Sequence, residues 1–361
     1  MREPWLLAVC AAVFLATACT EPLASSAGHV RKPTEAGSQV VRGIGPPATK
    51  APRDGLLAFS GGNPDLHAVY TVRPDGSKPR RLPLPAALGP TTLAWSPDGK
   101  RIAFAADDLP AHQDSNLYVV GAHGRGLRQL THGLLGVGDL AWSPDGRWIA
   151  FTGFPDDVPA AFVIRANGTG LRRVLPRFDV TSLAWGPAGR LAFAGVPSPA
   201  PASWHGLRAI WTVNVNGTHA RRVVGPLSLP PALGSILAVT GWSPDGHFLL
   251  IQGAPRYGDI SVVPVIGGHP RVILHCPFQT CTVVPGQGMG SPPRFKRDVD
   301  NLAWSPDGRT IIFTVGFAAA WRMYTVSAHG GRMHPLSIPR RPASIGGIAW
   351  QPAASMRGRP G

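Results

Sequence analysis

Leu93-Ala94-Trp95-Ser96-Pro97-Asp98-Gly99-Lys100-Arg101-Ile102-Ala103-Phe104 reads as a short strand, a tight turn and a second strand. Apolar residues lead into the tryptophan. In the turn, proline presets φ, aspartate can bond its own backbone and glycine takes positive φ. The tryptophan unit recurs at Trp142, Trp185, Trp242, Trp304 and Trp350, six copies in all. Three copies depart from the pattern. Gly186-Pro187-Ala188-Gly189 lacks the serine and aspartate, His247 replaces the basic residue after the turn, and Gln351-Pro352 follows the last tryptophan.

The second copy shows the whole unit. Asp139 to Trp142 is strand A, and Trp148 to Thr152 is strand B. Ala161 to Ile164 is strand C, Asn167-Gly168 is a type I′ hairpin signal, and Leu171 to Val174 is strand D. A repeat of roughly 45 residues holding four short strands specifies an all-β chain folded as a β-propeller. The ends fix its closure. The chain enters at Leu56-Leu57-Ala58-Phe59, a strand B with no tryptophan strand before it, and ends just after Gly347-Ile348-Ala349-Trp350, a strand A with nothing after it. The two fragments sum to one blade. The expectation is a six-bladed β-propeller over residues 55–352, closed by the C-terminal strand pairing with the N-terminal partial blade, with 353–361 as a tail.

The N-terminal residues read as an export signal over 1–18. Arg2 is the positive start, and Leu6 to Ala16 is an apolar run of about 11 residues, too short to span a bilayer. Ala16-Thr17-Ala18-Cys19 offers two cuts: an Ala-x-Ala site for plain secretion, or a lipobox-like site leaving Cys19 to be acylated. Cys10 leaves with the signal. Cys276 and Cys281 can pair in an oxidising envelope, which strands Cys19 unless it carries lipid, so lipidation is the preferred reading. Plain secretion and a cytoplasmic chain are the alternatives. Residues 19–54 carry Ser, Gly, Pro and basic residues without periodicity and read as a flexible tether with a reach of about 30 Å.

The net charge is +15, nearly all of it arginine. Many arginines share one slot: Arg80-Arg81, Arg128, Arg172-Arg173, Arg221-Arg222 and Arg271, each at the start of a strand D. Charge on an outer strand guards an unpaired backbone edge. The competing reading is an anionic envelope polymer or headgroup surface. Nucleic acid is not expected for an exported chain.

The pattern Trp-Ser-Pro-Asp-Gly followed by Ile-Ala-Phe resembles the WD-like repeat of the TolB-type propeller, a resemblance that covers about residues 55–352. The propellers of prolyl-oligopeptidase-like enzymes use the same repeat. TolB likeness implies a protein-interaction role in the bacterial cell envelope. The oligopeptidase branch would imply hydrolysis, but no Gly-x-Ser-x-Gly elbow occurs in the chain.

Loop lengths then sort the two faces. A–B and C–D turns lie on one face and are minimal. The long segments, Ala105 to Asn116, Gly195 to Arg208, Val224 to Leu237 and His275 to Val299, belong to B–C and D–A connections and share the other face. Long connections on a rigid scaffold are where binding residues gather. Candidates there are Trp204, His205, His275, Arg294, Lys296, Arg297, Asp139, Asp300 and Asn301. Asp139 and Asn301 each precede a tryptophan by three places, as do Thr92, Ser182, Val239 and Gly347, at the expected mouth of the central channel. Two good ligands among six places make a poor Ca²⁺ ring, so neither metal nor cofactor is expected. The leading reading is a non-enzymatic, monomeric scaffold that binds an envelope protein or polymer and is held to the membrane through Cys19. The alternatives are a metal-dependent hydrolase or lyase at the channel mouth, and a sensor for small anionic or glycan ligands.

Overall fold

A computed structural model describes residues 55–63, 66–108, 115–133, 136–155, 158–199, 208–225, 238–253, 259–275, 282–283, 299–317, 320–338 and 344–352. All of them fall within one compact unit, Pro47–Gly361. The stretches expected to be signal, tether and tail lie outside the described residues.

Six antiparallel sheets follow one another along the chain. Blade 1 joins both ends: β25 (Ser344–Trp350), β1 (Leu57–Asn63), β2 (Leu66–Val72) and β3 (Arg80–Arg81). Blade 2 is β4 (Leu88–Trp95), β5 (Arg101–Asp108), β6 (Ser115–Gly121) and β7 (Arg128–Gln129). Blade 3 is β8 (Leu140–Trp142), β9 (Trp148–Gly153), β10 (Ala160–Arg165) and β11 (Arg172–Val174). Blade 4 is β12 (Phe178–Trp185), β13 (Arg190–Pro197), β14 (Ala209–Asn214) and β15 (Arg221–Val224). Blade 5 is β16 (Ala238–Trp242), β17 (Phe248–Gln252), β18 (Ile260–Pro264), β19 (Arg271–His275) and a fifth strand, β20 (Thr282–Val283). Blade 6 is β21 (Val299–Trp304), β22 (Thr310–Phe317), β23 (Ala320–Ser327) and β24 (His334–Leu336). The tryptophan strands touch in a closed circuit, β25 to β4, β8, β12, β16, β21 and back to β25.

The second strand of each blade explains the Ile-Ala-Phe motif. Both of its faces are buried between blades, so the run is apolar throughout, while the period of two sends alternate residues to opposite neighbours. Ile102 and Phe104 pack with Ala58 and Val69 of blade 1. Ala103 and Ala105 face the other way, against Ile149 and Phe151 of blade 3, and leave room for Trp142. Blade 4 repeats the division: Leu191 and Phe193 join the blade 3 cluster, Ala192 and Ala194 the blade 5 cluster. The core is thus six clusters, one in each gap between blades. A second regularity is invisible at the level of strand pattern. The strand B aromatic stands opposite a strand C aromatic in five blades: Phe59–Tyr70, Phe104–Tyr118, Phe151–Phe162, Phe193–Trp211 and Phe313–Tyr324 are all stacked. Such cross-strand pairs fix register.

Closure has its own hardware. Leu57 pairs with Trp350, Ala58 with Ala349 and Phe59 with Ile348. Every other blade joins strands A and B by a covalent turn, but here the chain is interrupted. Gln351 takes over: its N–H donates to Leu56 O at 2.7 Å, its Oε1 accepts from Leu56 N at 2.8 Å, and its Nε2 donates to Gly99 O of blade 2 at 2.8 Å. The departure at Gln351 is therefore the side chain that replaces a missing turn.

Three expectations need correction. The stretches Ala105 to Asn116 and Gly195 to Arg208 are not loops throughout. β5 and β6 continue to Asp107↔Ser115, and β13 runs on to Pro197, opposite Phe178 of β12. Ala105 and Ala106 are fully buried, and the backbone pairing carries on past them. The Asn-Gly turns are not type I′. That turn needs positive φ at both central residues, whereas Gly168 (φ 84) is positive and Asn167 is absent from the positive-φ residues. Gly168 N donates to Arg165 O and Arg165 N to Thr169 O, the pattern of a type I turn with a glycine bulge. Asn167 Oδ1 accepts from Thr169 N at 3.1 Å, which supplies the reason for asparagine. Finally, strand D is not the outer strand of blade 5, because β20 covers the end of β19 at Leu274↔Val283 and His275↔Thr282.

Candidate binding faces

On the face made of A–B and C–D turns, one cap recurs at the A–B turns of blades 2, 3, 5 and 6. Ser96 Oγ donates to Asp98 Oδ1 at 2.6 Å, the same carboxylate oxygen accepts from Lys100 N at 3.0 Å, and Arg101 N donates to Ser96 Oγ at 2.9 Å. Ser143 and Asp145 repeat this with Arg147 and Trp148, and Ser243 with Asp245. The Ser143 hydroxyl holds the Asp145 carboxyl below its ordinary value, with help from Arg147 N–H. Asp245 is lowered in the same way by Ser243 and by His247 N–H. At Asp98, burial pushes upward, but Ser96, Lys100 N–H and the nearby Arg101 charge outweigh it. These aspartates hold turns together.

Two of the tryptophans fasten a blade to its predecessor through the indole N–H. Trp142 Nε1 donates to Ala94 O at 3.2 Å and Trp242 Nε1 to Ala184 O at 3.2 Å. Arg101 lies over the Trp142 ring, 4.8 Å from its centroid. The missing serine at Gly186 has a cause in the same contact: a Cβ there would stand 2.3 Å from Trp242 Cε2.

On the other face, the innermost strands share an irregularity. Pairing slips at Pro90/Leu93, Val180/Ser182, Val239/Gly241, Asp300/Ala303 and, across the closure, Ser60/Gly61. Polar groups at these bulges reach the adjacent blade. Ser60 Oγ donates to Thr91 O, and Thr92 Oγ1 to Gly138 O at 2.7 Å. Ser182 Oγ accepts from Val239 N at 2.9 Å, and Asn301 Nδ2 donates to Ile345 O at 3.2 Å. The side chains three places before the tryptophans therefore serve largely as stitches between blades. Asn301 adopts φ 51, an uncommon conformation that this bulge imposes.

The sequence-expected residues are only partly brought together. Asp139 precedes β8 in blade 3, where its N–H donates to Thr152 Oγ1 at 2.9 Å. Asn301 stands on blade 6, half a ring away. Asp300 pairs with Thr314 and His275 with Thr282 through the backbone. Trp204, His205, Arg294, Lys296, Arg297, Cys19, Cys276 and Cys281 lie outside the described residues. Among the described residues, no three His, Cys, Asp or Glu side chains group so as to hold a metal ion. Two apolar side chains on this face went unread in the sequence. Phe154 and Val158, 41% and 42% exposed, flank the B–C connection of blade 3. Their signal, Phe-Pro-Asp-Asp-Val-Pro, sits in a connection too short to attract notice by length.

The strand D arginines do more than guard edges. Arg221 donates from Nη2 to Ile266 O in the C–D turn of the next blade. Arg271 Nη2 does the same to Ala328 O at 3.0 Å, and burial lowers its pKa. They are ties between blades on the outer wall.

Five four-stranded blades and one five-stranded blade, a tryptophan at the end of each inner strand and a closure between the two chain ends define the class: this is a six-bladed β-propeller built on a WD-like repeat. Comparison with known proteins agrees. The WD domain, G-beta repeat pattern matches residues 124–157. No curated protein matches the chain. Among solved structures, TolB from Acinetobacter baumannii superposes with a TM-score of 0.62 at 16% identity, covering 84% of this chain and 69% of that one. A TolB-like protein from Agrobacterium tumefaciens gives 0.54 at 15% identity, with 83% and 100% coverage. A chain of a nidogen/laminin complex gives 0.58 at 13% identity, with 82% and 98% coverage. At these identities the likeness is one of fold: this chain shares the TolB propeller architecture.

Proposed function

We propose that the protein is an extracytoplasmic binding scaffold of the cell envelope that engages a protein or polymer through the face carrying its B–C and D–A connections. The observation that carries this reading is the asymmetry of the ring. On one face the turns are short, and most are closed by their own serine, aspartate or asparagine. On the other, strand ends lead into the connections 109–114, 200–207, 226–237 and 276–298, and Phe154 and Val158 are exposed. The solved TolB propellers and the nidogen/laminin complex lend the reading support through fold. The polar bulge residues, engaged between blades, favour binding over chemistry at the channel. Substituting Trp204, His205, Arg294, Lys296 and Arg297 by alanine should abolish capture of an envelope component while the melting temperature holds. Capture that survives these changes, and also survives replacement of 226–237 by a short turn, sinks the assignment.

The same reading places lipid on Cys19 and a disulfide between Cys276 and Cys281. What supports the disulfide is register: His275 opposes Thr282, and the cysteines adjoin these two residues in the sequence. Mass mapping of the non-reduced protein tests it; two free thiols would refute it. Mass spectrometry of the membrane-extracted protein should show a lipid-modified Cys19 that Cys19→Ala abolishes, and an unmodified cysteine would contradict acylation.

A further inference from the structure

The turn face is formed by short turns, and among the described residues its exposed cations outnumber its aspartates. Glutamate occurs only at Glu3, Glu21 and Glu35, so every carboxylate of the propeller is an aspartate. On this face Asp75, Asp98, Asp145, Asp245 and Asp307 each place a carboxylate oxygen on a backbone N–H, and the last four also accept from a serine hydroxyl, so these charges are tied into their own turns. The cations beside them are exposed: Lys78, Lys100, Arg125, Arg147, Arg165 and Arg309. In blade 3 two guanidinium groups share one indole, Arg165 at 5.2 Å and Arg172 at 5.9 Å from the Trp148 centroid. Holding like charges close together costs energy that an anionic partner would recover.

The same face exposes three large apolar side chains. Leu171 (44% exposed), Phe248 (36%) and Ile266 (76%) all lie at A–B or C–D turns. The backbone at Ile266 is fixed, because its carbonyl accepts from Arg221 of the preceding blade. Its neighbours His247 and His269 are exposed. Apolar tips within a basic plane are the combination that favours an anionic lipid interface: the tips gain by leaving water, and the cations meet phosphates.

We propose that the turn face docks on an anionic lipid bilayer, with Ile266, Phe248 and Leu171 entering the headgroup layer and Lys100, Arg147 and Arg165 contacting its phosphates. The opposite face would then point away from the membrane, free for the partner proposed above. The inference does not depend on that partner.

The test is co-sedimentation of the full chain with vesicles of phosphatidylcholine alone and with roughly 30% phosphatidylglycerol added, where each engaged cation strengthens binding severalfold. The apolar run Leu6 to Ala16 is present in every sample and cancels in the comparison. Wild type should partition at least about tenfold more strongly onto the anionic vesicles. Lys100→Glu/Arg147→Glu/Arg165→Glu should abolish the preference, and Phe248→Ser/Ile266→Ser should weaken anionic binding about tenfold. Near-UV circular dichroism confirms folding, since all five positions are exposed. Equal partition of wild type onto both vesicles overturns the proposal. So does binding to dextran sulfate that matches vesicle binding and ignores the Phe248/Ile266 change, which would assign the face to a soluble polyanion.

Discussion

Trp142 carries three duties in one side chain: it fills the gap left by Ala103 and Ala105, bonds Ala94 O, and supports Arg101. Trp95 fills the equivalent gap, yet its buried Nε1 has no partner among the described residues. Trp142→Phe should therefore cost more than Trp95→Phe by about 1 kcal/mol, the net worth of a hydrogen bond plus a weak stacking gain, measured by chemical denaturation. The turn aspartates give a pH test. Their folded pKa lies below the unfolded value of 3.8, so their stabilisation is present above that value and disappears as pH falls through the lower folded value. The melting temperature should drop as pH is lowered below about 4, and Asp145→Asn/Asp245→Asn should flatten that drop. A double variant with the wild-type acid profile would show that other carboxylates control it.

At the scale of the element, a departure from the repeat can be an adaptation. Gly186→Ser restores the common turn residue, and pattern alone would expect it to stabilise. Trp242 occupies that space, so the change should destabilise blade 4 against blade 5 by about 1–3 kcal/mol through overpacking. A rise in denaturation midpoint would contradict the contact. Strand identity was legible in the sequence because both faces of strand B are buried and because Pro-Asp-Gly has few other uses. The turn type at Asn167-Gly168 was misread because the Asn-Gly pair serves two turns and only the Thr169 bond to Asn167 Oδ1 separates them. β20 was missed because two residues, Thr282-Val283, carry no periodicity. Of the candidate site, the two faces were legible from loop lengths. The roles of Thr92, Ser182 and Asn301 were not, since their partners lie on another blade, 44 to 57 residues along the chain.

For the whole molecule, the orphan strands at the two ends were the decisive signal, and their pairing is what turns six sheets into a ring. Two working faces follow from that ring: a basic one proposed for lipid, and a looped one proposed for a partner. Both depend on the blades staying in register around the circle. The most direct test removes residues 344–361 and measures equilibrium unfolding together with molar mass in solution. Without β25, strand β1 exposes an edge and the cluster of Leu57, Phe59, Ile312 and Met323 opens to water. The truncated protein should lose its cooperative transition at the wild-type midpoint and associate through the bared edge. A truncated protein that remains monomeric and unfolds at the same midpoint would contradict the closed ring.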